Sequence, residues 1–223
     1  MYSIAKRVFD ILLCSVALLL AFPVLLITAV LIKISSPGPI LYISDRAGIN
    51  GKPFRFYKFR SMHVTNHDRG MFQADPERLF PVGKLIRRLK IDELPQLLNV
   101  IKGDMSIVGP RPMTLEGVDR FYIGRYEIVR SVKPGLTSAA SLFDYTVGEN
   151  YYDESAYEAV VLPMKKEMEY YYVMNRSFTY DCELVIRTIV ILMQVLFGKK
   201  AFTQQREYEI CLAELESQNA VSR

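Results

Sequence analysis

Hydrophobic residues are distributed unevenly along the chain. Between Arg7 and Lys33 lie 25 residues, and only Asp10 among them is charged. A run of this length can cross a hydrocarbon core as one helix. It is too long for a cleaved signal peptide, and no small-residue cleavage site stands at its end. The pattern therefore predicts a membrane helix within residues 1–36.

Two courses are open to this helix. As a signal anchor it would span the bilayer with Lys6 and Arg7 on the cytoplasmic side. Pro23 lies within the run, however, and removes a backbone donor there, which favours a kink. Basic residues also flank both ends of the run, so the positive-inside rule gives no clear orientation. The other course is a re-entrant helix that bends at Pro23 and returns both basic ends to one face.

The remainder of the chain alternates short strand patterns with helical ones. Residues 40–44 and 53–59 predict strands joined by a hairpin-like turn at 48–51. Asp75 and Pro76 predict the start of a helix that ends near Leu89, and a second helix is expected from about Glu93 to Ile101, stopped by Gly103. Further elements are a strand at 105–108 and helical periodicity over 114–131 and 153–175.

The last apolar run, residues 184–197, is too short to span a bilayer. It is either a buried core helix or a helix that lies in the membrane interface, and the lysines that follow it favour the interface. The tail after Thr203 is polar with helical periodicity. These patterns predict a mostly helical α+β fold with three parts: a membrane helix (1–36), a small domain with short strands and interfacial amphipathic helices (37–200), and a peripheral helical tail (201–223).

Composition narrows the range of partners. Half of the 223 residues are hydrophobic and the formal net charge is +4; the mean hydropathy is +0.11 and the pI about 8.9. This balance suits anionic lipid headgroups or phosphates better than nucleic acid, for which no binding motif is present. The three cysteines have no CxxC spacing and are expected to be reduced. His63 and His67 have a metal-pair spacing but no third ligand, which favours solvated loop histidines.

The strongest candidate for chemistry is the segment 87–112. The adjacent carboxylates Asp92 and Glu93 follow a run rich in cations, namely Lys84, Arg87, Arg88 and Lys90. Carboxylates in such a field stay ionised, and the field suits a polyanionic substrate such as a diphosphate. The alternative is structural: Asp92 would cap a helix whose first turn contains Glu93.

The string LKIDELPQLLNVIKGDMSIVGPRP at residues 89–112 resembles the signature of the bacterial sugar transferases known as monotopic phosphoglycosyl transferases. Several further segments are similar to that family in the same order: KRVFD at 6–10, PGPILY at 37–42, RAG at 46–48, FRFYKFRSM at 54–62, KPGLT at 133–137 and NRSF at 175–178. The resemblance covers residues 1 to about 197.

The resemblance implies that a sugar-1-phosphate moves from a UDP-sugar to polyprenyl phosphate, with UMP as the other product. It implies Asp92 as the nucleophile, Glu93 as a ligand of Mg²⁺, and Lys58, Arg87 and Arg111 as the basic residues that bind phosphates. It also implies a bacterial inner-membrane enzyme with its catalytic domain on the cytoplasmic face, in contact with phospholipids. A second copy of the chain and downstream glycosyltransferases are further candidate partners.

The chain departs from the family pattern in two places. The family is known for a re-entrant membrane helix with a Ser-Pro break, so the resemblance favours a re-entrant helix over residues 1–36, although Phe22 precedes Pro23 here. After Thr137, relatives continue with Gly-Trp-Ala-Gln-Val, whereas this chain has SAASLF at 138–143 and no tryptophan. The arginine assigned to nucleotide recognition there has no counterpart. The alternative functions are transfer from another donor or to another lipid, and a catalytically inactive membrane module that binds polyprenyl phosphate or organises an assembly.

Overall fold

A computed structural model of the protein describes residues 2–64, 78–146, 155, 157–197, 199, 202 and 205–221. The described helices are α1 (Tyr2–Ser35), α2 (Pro81–Arg88), α3 (Gln96–Lys102), α4 (Leu115–Phe121), α5 (Ala139–Thr146), α6 (Leu162–Asn175), α7 (Phe178–Leu196) and α8 (Arg206–Val221). The strands are β1 (Leu41–Ala47), β2 (Pro53–Phe59), β3 (Ser106–Val108) and β4 (Gly135–Thr137). This composition confirms the mostly helical α+β prediction.

Helix α1 is the one helix in the described ranges that is long and apolar enough to cross a membrane. It continues through Pro23, so the predicted re-entrant bend stays a prediction. Side chains in its middle are largely exposed: Leu19 is 76% and Leu20 74% exposed. Cys14, by contrast, is buried in the main hydrophobic core together with residues of α3, β3 and α7.

The predicted hairpin is confirmed. Strands β1 and β2 pair antiparallel, with Leu41 opposite Phe59 and Ala47 opposite Pro53. Asn50 takes a left-handed conformation, with a φ of 55°, in the 3₁₀ turn Ile49–Gly51 that joins the strands. Phe56 and Phe59 point to opposite faces of β2 and pack into two different cores, so the strand is buried on both sides.

The segment around Asp92 differs from its prediction. Helix α2 begins at Pro81 and not near Asp75, which lies outside the described residues, because the chain just before it forms a bridge between Met62 and Leu79. Lys90 then turns the chain with a φ of 55° into the 3₁₀ turn Ile91–Glu93. Helix α3 ends at Gly103, as predicted, because glycine takes the left-handed φ of 95° at no steric cost.

The structural alternative for Asp92 is wrong. The residue that precedes the first turn of α3 is Pro95, and no side chain caps that helix. Asp92 lies instead inside the short 3₁₀ turn and is buried. Its carboxylate is therefore not occupied with satisfying the backbone donors at a helix start, and another reason is needed for burying it.

Strand β3, predicted at 105–108, pairs in parallel with β4, so that Ser106 lies opposite Gly135 and Val108 opposite Thr137. The two strands approach so closely near Gly109 that a Cβ atom at Gly135 would lie 2.1 Å from the Gly109 nitrogen. Beyond them the predicted helix over 114–131 is two elements, α4 and the 3₁₀ segment Gly124–Ser131. Gly124, with a φ of 60°, begins the second element.

The C-terminal third is helical in the described ranges. A π-helical segment, Tyr157–Val161, leads directly into α6. Helix α7 buries Tyr180 and Leu184 but exposes a row of apolar side chains, including Ile186, Ile189, Val190, Met193 and Leu196. Helix α8, in the predicted tail, packs Cys211 against α5 and α6. The three cysteines are free, as expected.

Candidate active site

The carboxylate of Asp92 lies in the interior where the 3₁₀ turn meets β2. Asp92 is only 1% exposed, and its Oδ2 atom lies 2.8 Å from Nζ of Lys58. Despite this ion pair, neither carboxylate oxygen accepts a hydrogen bond of ordinary geometry from the described residues. Buried polar atoms are nearly always hydrogen-bonded, and exceptions are found at catalytic groups. Asp92 is therefore buried beside one cation, and its oxygens are only partly compensated.

Glu93 lies between two cations. Its Oε1 atom is 3.7 Å from Nζ of Lys58 and 3.4 Å from Nη2 of Arg111. Exposure increases along this row: the side chains of Glu93, Lys58 and Arg111 are 13%, 22% and 36% exposed. The predicted site residues Lys58, Asp92, Glu93 and Arg111 thus form one cluster, which opens to solvent on the Arg111 side.

Arg87 is not joined to this cluster by side-chain contacts. It is half-buried in the last turn of α2, and within the described ranges no hydrogen bond or ion pair links its guanidinium to Asp92 or Glu93. Its predicted part in phosphate binding therefore rests on the resemblance alone.

A second arginine near the cluster was missed as a site residue. Arg46 in β1 lies with its guanidinium carbon 5.6 Å from the centre of the Phe56 ring. Burial lowers the pKa of Arg46, and the positive charge of Arg111 acts in the same direction. An arginine stays protonated even so. Its charge therefore adds to the positive field around the two carboxylates.

Asn99 was also missed, although it fixes the position of Lys58. Asn99 is fully buried in α3. Its Oδ1 accepts a hydrogen bond from the backbone N–H of Tyr57 at 3.1 Å, and its Nδ2 donates to the carbonyl of Arg55 at 2.6 Å. These bonds tie β2 to α3 directly beside Lys58. No local pattern could have identified them, because the partners are more than 40 positions apart.

A third carboxylate, that of Glu169, contacts the backbone of Arg111. The backbone N–H of Arg111 donates to Oε1 of Glu169 in α6 at 3.0 Å, and the hydroxyl of Tyr122 donates to Oε2. Burial raises the pKa of Glu169, while these two donors and the charges of Lys165 and Arg111 oppose that shift. Burial and the adjacent Glu169 also raise the pKa of Tyr122 well above its ordinary value.

The carboxylates of the cluster form a donor set that fits Mg²⁺ bound together with a phosphate. Asp92 has a buried oxygen, Oδ1, without a hydrogen bond from the described residues, and Glu93 is its neighbour in sequence. No group of three or more His, Cys, Asp or Glu side chains able to hold a metal occurs in the described ranges. Mg²⁺ commonly takes only one or two carboxylates and completes its shell with water and substrate phosphates.

The segment that departs from the family pattern lies in the core. Ser138, Ala139, Ala140, Ser141, Leu142 and Phe143 are all at most 3% exposed. The first polar residue after them is Asp144, whose Oδ2 accepts a bond from Nζ of Lys165 at 2.8 Å. Residues 138–143 are therefore too buried to contact a nucleotide in this structure. Asp144 is the polar side chain of α5 that directly follows them.

A family model and several known proteins match most of this chain. The family model described as bacterial sugar transferase matches residues 1–195. The chain is 42% identical over 192 residues to UDP-N-acetylgalactosamine-undecaprenyl-phosphate N-acetylgalactosaminephosphotransferase of Aeromonas hydrophila, which covers 84% of this chain and 43% of the relative. It is 38% identical over 191 residues to UDP-glucose:undecaprenyl-phosphate glucose-1-phosphate transferase of Escherichia coli K12, covering 82% and 39%.

A protein with the same printed name from Caulobacter vibrioides is 35% identical over 200 residues, covering 86% of this chain and 70% of the relative. The chain spans less than half the length of the first two relatives. The matched residues 1–195 nevertheless contain the whole of the Lys58–Asp92–Glu93–Arg111 cluster. The chain belongs to the bacterial sugar transferase family.

Proposed function

We propose that this protein transfers a sugar-1-phosphate from a UDP-sugar to polyprenyl phosphate, through a phospho-sugar covalently bound to Asp92. The observation that carries the proposal is the state of Asp92: a buried carboxylate with one cation at 2.8 Å and oxygens that lack ordinary hydrogen bonds. The printed names of the relatives, which specify UDP-sugar donors and undecaprenyl phosphate, support the substrate classes.

In the first step an oxygen of Asp92 attacks the sugar-proximal phosphorus of the donor. A new bond forms between that oxygen and phosphorus, and the bond from phosphorus to the oxygen bridging to UMP breaks. Arg111, the most exposed cation of the cluster, contacts the diphosphate first, and Lys58 stabilises the charge near the reacting phosphorus.

In the second step a phosphate oxygen of polyprenyl phosphate attacks the same phosphorus, and Asp92 leaves as a carboxylate. Both nucleophiles are anions from the start, and both leaving groups depart as anions. Neither step needs a proton to be added or removed, so the site needs cations rather than a general base. This requirement agrees with Lys58, Arg46 and Arg111 around two carboxylates.

Glu93, and Asp92 before it reacts, are the residues that would hold Mg²⁺. When bound, the ion would neutralise negative charge on the donor diphosphate. Lys58 and Arg111 hold the Glu93 carboxylate at the edge of the cluster, at 3.7 and 3.4 Å. Removal of the ion is expected to stop turnover while leaving the fold intact, because the polypeptide contacts described here hold the cluster together.

We also propose that α1 enters and leaves the membrane on one face, the cytoplasmic face where nucleotide sugars are found. Near its start, Arg7 donates to the carbonyls of Val100 and Ile101 at 2.6 and 2.7 Å. Near its end, Ile32 is fully buried beside Phe80. Both ends thus contact one globular body, which a helix with ends on opposite faces could not do.

The middle of α1 exposes apolar side chains, and this part of the helix would contact the lipid. The exposed apolar row of α7 is a second candidate contact with the membrane interface. An acceptor with a long apolar tail and a soluble donor would then meet at the cluster, which lies in the body to which both ends of α1 are attached.

The alternative is an inactive module that only binds polyprenyl phosphate. Its test is release of UMP by the purified protein in lipid nanodiscs, with a panel of UDP-sugars, polyprenyl phosphate and Mg²⁺. We expect UMP from at least one donor, none with Asp92→Asn, and none after chelation of Mg²⁺. Absence of UMP with every donor would contradict the transferase proposal and favour the binding module.

The topology can be tested separately. Ser3 is exposed, and Ser3→Cys in a Cys182→Ser background gives one accessible thiol, because Cys14 and Cys211 are buried. We expect this thiol to resist a membrane-impermeant reagent in intact spheroplasts and to react after lysis. Labelling from outside would show that α1 spans the membrane.

A further inference from the structure

We propose that Glu169 is a positioning residue for Arg111: it fixes the peptide that aims the Arg111 guanidinium at the donor phosphates. The proposal rests on the function proposed above and adds a residue to it. The buried Glu169 carboxylate in α6 accepts a hydrogen bond from the one backbone N–H in the sequence Pro110-Arg111-Pro112.

The Pro-Arg-Pro segment has few ways to be held in place. Prolines lack an N–H, so Arg111 provides the only backbone donor of the three residues. On one side the segment is fixed by the carbonyl of Pro110, which accepts from the N–H of Gly135 at 2.7 Å. Beyond it, the carbonyl of Met113 accepts from Ala47 at 3.0 Å. At Arg111 itself, the backbone N–H donates to Glu169 at 3.0 Å.

Glu169 is buried, and each of its two oxygens accepts one hydrogen bond. It is 3% exposed, and its second oxygen is taken by the hydroxyl of Tyr122, itself 3% exposed. Both contacts come from neutral donors. Two carboxylates from different elements therefore contact Arg111. Glu169 accepts a hydrogen bond from its backbone N–H, and Oε1 of Glu93 lies 3.4 Å from its guanidinium.

A role in proton transfer does not account for Glu169. The two proposed steps use anionic nucleophiles and anionic leaving groups, so there is no proton for it to accept. Its contacts also face Arg111 and Tyr122 and not Asp92. What the geometry requires of Glu169 is a pair of hydrogen-bonding atoms at fixed positions, whatever their charge.

This distinction gives the test. Glu169→Gln keeps an oxygen for the Arg111 N–H and places an NH₂ group beside the Tyr122 hydroxyl, which can accept a bond. Glu169→Ala removes both. We expect Glu169→Ala to lower kcat/KM for the donor by roughly 30- to 300-fold, since small misplacements of a substrate-positioning group cost about that much. Glu169→Gln should stay within about threefold of wild type, and the KM for polyprenyl phosphate should change little in either variant.

Glu167 provides the matched control. It lies in the same helix, is 2% exposed, and binds Arg125 and the hydroxyl of Tyr126, neither of which belongs to the cluster. Glu167→Ala should lose thermal stability to a similar extent as Glu169→Ala but keep its kcat/KM per folded molecule. A parallel loss of activity in both variants would show that Glu169 acts through stability alone.

The decisive measurement is a double-mutant cycle. If Glu169 acts through the Arg111 side chain, Glu169→Ala should cost less than about threefold in an Arg111→Ala background. Losses that multiply, or a Glu169→Gln variant as inactive as Glu169→Ala, would overturn the proposal and indicate a direct role for the charge. If Glu169→Ala does not fold, two other variants still decide. We expect kcat/KM for the donor to fall less than about threefold in Glu169→Gln and a few-fold in Tyr122→Phe. A loss above about 30-fold in Glu169→Gln would refute the positioning role. An inactive wild type, by contrast, would refute the proposed function and not this inference.

Discussion

Glu207 and Asp92 are both fully buried carboxylates beside a cation, but they differ in how their oxygens are used. Glu207 accepts hydrogen bonds from the hydroxyl of Tyr180 at 2.7 Å and from Nη1 of Arg187 at 3.0 and 2.9 Å. Asp92 has Lys58 at 2.8 Å, and neither of its oxygens accepts an ordinary hydrogen bond from the described residues.

The difference separates a structural site from a reactive one. A buried charge is costly unless hydrogen bonds replace its hydration. At Glu207 that replacement is complete, and the result attaches α8 to α7. At Asp92 it is incomplete, so the oxygens keep the lone pairs that a nucleophile needs. Under the proposed function, the fold uses Glu207 for stability and keeps Asp92 able to react, at some cost in stability.

The largest expected effect comes from exchanging each carboxylate for its amide. Asp92→Asn should abolish turnover, a loss of at least about 10⁴-fold, because an amide is a poor nucleophile toward phosphorus. Its unfolding free energy should change by less than about 1 kcal/mol, since Asp92 accepts no ordinary hydrogen bond from the described residues and Lys58 keeps Glu93 at 3.7 Å. Activity per folded molecule and chemical unfolding in nanodiscs measure the two quantities.

Glu207→Gln should show the opposite behaviour. Turnover per folded molecule should be retained, while the unfolding free energy falls by about 2–4 kcal/mol because Arg187 loses a buried partner. If Asp92→Asn destabilised the protein as much as Glu207→Gln does, the contrast between a structural and a reactive carboxylate would be wrong.

Glu93→Gln is expected to have the next largest effect. Loss of its charge should raise the barrier by an amount on the order of 3–5 kcal/mol and weaken the use of Mg²⁺. A titration of activity against Mg²⁺ for wild type and variant checks both effects. An unchanged Mg²⁺ dependence would remove Glu93 from the set of metal ligands.

The two arginines should rank according to their contacts. Arg111→Ala, which removes a cation from the cluster, should lower kcat/KM for the donor by about 100-fold. Arg87→Ala should cost less than about tenfold, because its guanidinium is not joined to either carboxylate. Equal losses would mean that Arg87 reaches the substrate when the donor binds, as the family resemblance implies.

The smallest expected effect concerns stability and pH. Burial raises the pKa of Glu169 above 4.5, against the opposing donors Tyr122 and the Arg111 N–H and the charges of Lys165 and Arg111. The folded state therefore binds the proton more tightly than the unfolded state. Glu169 then contributes stability below the unfolded pKa, and this contribution is lost as pH rises through the folded pKa. Unfolding free energy measured from pH 4 upward should fall less steeply in Glu169→Gln than in wild type, and an identical slope would contradict this assignment.

The sequence predicted the elements that depend on local patterns. The alternation over 53–59 and the glycine after Lys102 marked β2 and the end of α3, because strand periodicity and a left-handed helix end are properties of neighbouring residues. The apolar run before Lys33 predicted α1 in the same way. The start of α2 was placed wrongly, since a tertiary contact between Met62 and Leu79 competes with the local signal.

The site was predicted only in part, for a related physical reason. The family resemblance identified Lys58, Asp92, Glu93 and Arg111, which the fold brings together. Asn99 and Glu169 escaped notice because each acts on backbone atoms of a distant segment, 42 and 58 positions away. Every residue type except proline offers the same backbone N–H and C=O groups. The sequence therefore does not show which backbone group a distant side chain binds.

Trapping the covalent species tests the central claim most directly. Wild-type protein in nanodiscs is mixed with isotopically labelled donor and Mg²⁺ in the absence of polyprenyl phosphate, and is then analysed by intact-mass and peptide mass spectrometry. The account predicts one UMP released per active molecule and the added mass of a phospho-sugar on Asp92, which disappears when polyprenyl phosphate is supplied and is absent from Asp92→Asn. Release of UMP only when the acceptor is present, with no adduct on an enzyme that turns over normally, would contradict it.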